Sequence, residues 1–176
     1  MNAEMAALMD YTDWERQQWH EFLQQHFQAL RTRLGPNAGN RFQTVGDVIR
    51  HIFSAETRYI ERLSDKPLTD ATSIPADDLE ILFAFGRKGR KAFRGFVEAL
   101  APQDCDAMKD FGPFFGGFLK ATPRKIAMHV LVHETRHWAQ IATLFRLNGM
   151  HVDLHDFLLS PVLGGEFKRA QVGASR

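Results

Sequence analysis

Apolar residues return at helical spacing in four long runs, each closed by residues that stop a helix, and few folds accommodate that pattern. The first run extends from about Ala3 to Leu34, with Trp19, Phe22, Leu23, Phe27 and Leu30 on its stripe. The segment GPNAGN ends it. The second covers Val45 to Leu63, with Thr44 as N-cap and Asp47 three residues on, a weaker form of the capping box. The third runs from Ala76 or Asp77 to Leu100, and Asp77 and Asp78 sit where the helix dipole favours negative charge. The fourth opens at Thr122 with Pro123 in its first position and closes at Asn148-Gly149, with Arg146 in the last turn. No alternating strand pattern competes. The Gly-, Pro- and Phe-rich stretch before Thr122 is expected to be an ordered loop over one end, because Phe111, Phe114, Phe115 and Phe118 are too many rings to expose together. These runs predict an all-α four-helix bundle, and the long connections after the second and third helices permit crossovers.

The 176 residues suit one domain, read here as 1–163, with 164–176 as a flexible polar tail. A net charge of +1 gives no basic field of the kind that nucleic acid requires. Cys105 is the only cysteine, which excludes intrachain disulfides and cysteine-based zinc sites. Flanked by Asp104 and Asp106, it is read as incidental. No stretch is apolar for long enough to span a bilayer, and the first residues lack the basic and apolar regions of a signal peptide. The expected setting is the cytoplasm, without membrane or nucleic-acid partners.

The fourth run carries His129, His133 and His137 at four-residue intervals. On a helical wheel with Ile126 at the origin, His133, His137 and His129 fall near about 340°, 20° and 300°. That reading puts His133 and His137 at the centre of the buried stripe and His129 at its edge. Imidazoles one turn apart converge on one cation, and neutral imidazole is a common ligand for zinc, nickel and iron. His51, beside the stripe of the second helix, is the best third ligand; His20 and His26 are runners-up, and His151 and His155 read as solvated. HETRH also fits the H-E-x-x-H pattern of zinc proteases, with Glu134 as base. No third histidine follows at the extended spacing and no strand is evident, so Glu134 is read instead as a surface group or as one that supports the ligands.

VGDVIRHIFSAETRYIERL followed by HVLVHETRHWAQIATLFRLNG resembles the DinB/YfiT-like family of metal-dependent four-helix bundles. The family run of His-Glu, His, Gln and an apolar-Arg-x-x-Gly end matches His133, Glu134, His137, Gln140 and Phe145 through Gly149. The upstream family histidine matches His51. Trp138-Ala139 departs from the common Arg-Gly at that place. The resemblance implies an up-down-down-up bundle, often a homodimer, in which three histidines hold zinc, nickel or a similar ion. It also implies thiol-dependent transferases and isomerases that use low-molecular-weight thiols, alongside members with no known reaction.

Three protein ligands would leave coordination positions open, as at catalytic zinc. The expectation is a metal-dependent enzyme acting on a small molecule, by thiol transfer to an electrophile or by hydrolysis. Glu134 and Gln140 would orient ligands or substrate. The competing expectation is a non-enzymatic metal-binding or stress-response protein with a structural ion. Trp14 and Trp19, read as an aromatic surface on the first helix, suggest a homodimer.

Overall fold

The computed structural model describes residues 3–35, 42–114, 116–153, 155–164 and 166–167. Most of the GPNAGN breaker, Phe115 and most of the expected tail lie outside the described residues. Four helices dominate: α1 (Ala3–Gln25), α2 (Val45–Leu63), α3 (Leu79–Ala99) and α4 (Pro123–Leu147). Three of their starts carry side-chain caps. Thr44 and Asp47 form a reciprocal capping box on α2, Asp78 accepts from Ile81 N on α3, and Thr122 accepts from Lys125 N on α4.

Contacts between helices fix their directions. Residues of α1 and α4 meet in parallel order, Arg16 with Glu134 and Trp19 with Trp138. Residues of α2 and α3 also run together, with Phe53 against Phe83 and Glu56 against Arg90. Across α2 and α4 the order reverses, Tyr59 meeting His129 and His51 meeting His133. It reverses again between α1 and α3, where Asp13 meets Arg94 and His20 meets Glu80. The bundle is therefore up-down-down-up. Two glycines let α3 approach α2 closely: a Cβ on Gly86 would lie 2.8 Å from the Phe53 ring, and one on Gly89 would lie 2.7 Å from Thr57 Oγ1.

The interior has three levels. One apolar cluster includes Trp19, Ile49, Phe53, Leu82, Trp138 and Phe145; another includes Met9, Ile60, Phe93, Val97, Val130 and Leu131. Between them each helix contributes one member of a buried ionic layer, Arg16, Glu56, Arg90 and Glu134, and α1 also buries Glu15. No helix among the described residues is long and apolar enough to cross a membrane.

Four expectations need correction. The first helix stops at Gln25, and a 3-10 turn over Phe27–Arg31 follows. That turn buries Ala29 and Leu30, and Val45 N then donates to Thr32 O at 3.0 Å, so the chain crosses back to α2. The stretch before α4 is not a loop but an antiparallel hairpin, β1 (Lys109–Phe114) with β2 (Gly117–Ala121). Its register breaks between Asp110 and Pro113, where Gly112 takes φ +69° and donates its N–H to Asp110 Oδ1 at 2.8 Å. Phe111 packs on the bundle while Phe118 projects into solvent. Trp19 is interior, 1% exposed and stacked on Trp138 at 5.3 Å, so it forms no aromatic surface; Trp14 is half-buried beside Tyr11. His155 is not solvated: its carbonyl accepts from Tyr11 Oη at 2.6 Å and its ring stands edge-on to Trp19, whereas His151 is exposed.

Candidate metal centre

The capping box and the apolar stripe of α2 aim His51 into the seam with α4, where His133 and His137 project from successive turns. His51 Nε2 and His133 Nε2 lie 3.0 Å apart, and His133 Nε2 and His137 Nε2 lie 3.2 Å apart. Ligand atoms of all three fall within 4.8 Å of one another. Zinc–nitrogen bonds of about 2.0–2.1 Å place two nitrogens about 3 Å apart at a right angle and about 3.4 Å apart at the tetrahedral angle. The two spacings to His133 sit in that interval, so the three imidazoles could hold a divalent ion.

Gln140 Oε1 lies 2.8 Å from His137 Nδ1. An amide oxygen there accepts the Nδ1 proton and leaves Nε2 with its lone pair, the form a metal ligand needs. Burial pushes the His133 imidazole down to about 4, with His137 and His129 adding to the effect. The ring at the middle of the cluster therefore favours its neutral form.

The wheel misplaced the centre of the α4 stripe. Glu134 and Trp138 are fully interior, 1% and 0% exposed, while His133 and His137 are half-buried at the seam. Glu134 is neither a surface group nor a base poised over the histidines. One oxygen accepts from Arg16 Nε and from Trp138 Nε1 at 3.1 Å. The other accepts from Arg16 Nη2 at 2.9 Å and Arg90 Nη2 at 2.5 Å. The two guanidinium groups hold its carboxyl below the usual carboxylate range against the opposing effect of burial. The H-E-x-x-H reading lacks its general base for this reason. The sequence reading missed Arg16, Glu56 and Arg90 altogether; their signal is a charge at a position where the helix period calls for an apolar residue.

His129 stands outside the cluster, with Nε2 3.3 Å from Tyr59 Oη. His20 stacks on Phe83 and meets Glu80, and His26 packs on Phe22, so neither runner-up joins. Two recesses flank the three histidines. A groove of about 690 Å³ is mostly apolar, lined by Phe42, Val48, Leu144 and Leu147 together with His137 and Gln140. A polar recess of about 420 Å³ holds His51 with Asp47, Arg50, Arg58, Thr69 and Asp70, and Phe42 lines both.

The family model for the DinB family matches residues 1–163. A comparison with curated proteins gave no match.

Proposed function

The chain belongs to the DinB family, and from that membership we propose a divalent-metal-dependent enzyme that transfers a thiol to a small electrophile. His51, His133 and His137 would hold the ion, with zinc or nickel the best candidates for imidazole donors. The observation that carries this reading is the composition of the donor cluster: three imidazoles, and no carboxylate among the described residues. Three ligands leave coordination positions for reactants. An ion at that place supplies Lewis acidity, which lowers the pKa of a thiol or water that reaches it. That no carboxylate joins the histidine cluster among the described residues favours thiol chemistry over hydrolysis. A divalent ion held by the three histidines would lower the pKa of a thiol enough for its proton to pass to solvent, whereas water attack is commonly assisted by a general base, and Glu134 is tied to Arg16 and Arg90.

The protein's own residues have limited roles in this scheme. Gln140 holds His137 in its ligand tautomer. The apolar groove takes the uncharged reactant, and the polar recess beside His51 takes the charged one. The same reading has the enzyme act as one domain over 1–163, in the cytoplasm and as a homodimer through a surface that does not include the interior Trp19.

The test is a screen of metal-replete protein with low-molecular-weight thiols and 1-chloro-2,4-dinitrobenzene. The reading requires conjugation that depends on both thiol and metal and is lost in His133→Ala. Ester hydrolysis without thiol transfer would favour a hydrolase. Full metal content with no turnover in either assay would favour a structural ion.

A further inference from the structure

The middle of α3 reads GRKGRKAFR, with Arg87, Lys88, Arg90, Lys91 and Arg94 inside nine residues and no acid among them. Four of these, Arg87, Arg90, Lys91 and Arg94, recur at helical spacing and line one cavity between α1 and α3. In a chain of 22 basic and 21 acidic residues this is a local concentration of charge. The cavity, about 410 Å³, shares no lining residue with the histidine cluster, and Asp13 is the only carboxylate among its described lining residues. Phe53 and Phe83 give it an apolar wall.

The charges do not cancel. Arg16 and Arg90 are matched by Glu56 and Glu134. Arg94 is matched by Asp13 and Asp10. Arg90 shares Asp13 as well, so five basic groups face four carboxylates; Arg87 and Lys91 form no ion pair among the described residues and leave the positive excess at the rim. The floor also has an unfilled donor. Arg16 is buried, and its Nη1 makes one contact, to the Gly86 carbonyl at 3.3 Å, which leaves its second N–H unused.

We propose that this α1–α3 cavity binds a compact organic phosphate, its dianionic group held by Arg87, Lys91 and the Arg16 Nη1 hydrogen and its apolar body against Phe53 and Phe83. Two unpaired cations side by side on the rim suit an anionic phosphate group. Guanidinium groups suit tetrahedral oxyanions because their N–H groups form a fixed fork. A cavity of this volume lies within the range that encloses small ligands.

Calorimetric titration of the full chain with phenyl phosphate, inorganic phosphate and phenol tests the proposal. Metal is first removed with a chelator, so that phosphate cannot report on the histidines. The expected result is one phenyl phosphate per chain, inorganic phosphate bound at least tenfold more weakly, and phenol not bound. Arg87→Ala/Lys91→Ala changes two exposed side chains, so it should keep the native circular dichroism and weaken phenyl phosphate at least tenfold. His137→Ala should leave that affinity unchanged. Absence of binding at low salt, unchanged affinity in the double variant, equal affinity for the two phosphates, or loss of binding in His137→Ala would each overturn the proposal.

Discussion

Arg90 on α3 donates to Glu134 Oε2 on α4 at 2.5 Å, at the residue next to His133. The contact belongs to a buried set in which Arg16 and Arg90 share Glu56 and Glu134, one charge from each helix, between two apolar clusters, and Arg90 links it outward to Asp13. A buried ionic layer of this kind has one satisfactory register. Rotation of α4 about its axis would withdraw Glu134 from both guanidinium groups and leave buried charge unpaired, which is costly. The layer therefore fixes which face of α4 meets the seam with α2, and so where His133 and His137 point.

Glu134→Gln leaves the shape of the side chain and removes its charge. Two buried guanidinium groups then lose a partner, and the expected loss of stability is about 3–5 kcal/mol. Urea denaturation checks it. Metal content of whatever fraction stays folded should fall much less than in a histidine variant, because Glu134 touches no Nε2. A variant as stable as the parent would show that the layer does not set the fold.

Gln140→Ala should leave the fold intact, since Gln140 is exposed. It removes the acceptor on His137 Nδ1. Loss of such an orienting contact costs about 10–100-fold in metal affinity. Competition with a chromophoric chelator reads the change, and unchanged affinity would mean that Gln140 does not set the His137 tautomer.

Glu15 is buried, and its Oε2 has no hydrogen-bond partner among the described residues, the Trp19 side chain giving its carboxyl only a smaller opposing contribution. Burial, reinforced by Glu134, pushes its carboxyl up to about 8 from an ordinary 4.5. Between those two values the folded chain keeps a proton that the unfolded chain releases, so this contribution to stability falls as pH rises through that window. Glu15→Gln cannot ionise. It should be more stable than the parent at pH 8 by about 1–3 kcal/mol and nearly equal to it at pH 4.5. Denaturation curves at the two pH values decide; a parent and variant with the same pH slope would contradict the account.

The caps and stripes of α2 and α4 were legible because their signals are local: Thr44 with Asp47, Pro123 after Thr122, and Asn148-Gly149 at the end. The three histidines were legible for the same reason, being a spacing on α4 and a flank on α2. What the sequence hid was partnership. Glu134 was read as a surface or supporting group because a sequence cannot show Arg16 and Arg90 arriving from α1 and α3, and the stripe was centred on the histidines instead. His155 and Trp19 were misplaced likewise, since each is covered by the other. The hairpin escaped because Gly112 and Pro113 interrupt the alternation that would announce a strand, and the positive φ of Gly112 is what allows the pairing to resume. Exposure of Phe118 ran against its apolar character.

Metal stoichiometry of four single variants, each confirmed as folded, decides whether His51, His133 and His137 hold one ion. His51→Ala, His133→Ala and His137→Ala each remove one of three converging Nε2 atoms, and each should lose most of the bound metal by elemental analysis after dialysis. His129→Ala should retain nearly all of it, because His129 meets Tyr59 and lies outside the cluster. A folded His133→Ala or His137→Ala protein with its full complement of metal, or loss confined to His129→Ala, would contradict the assignment.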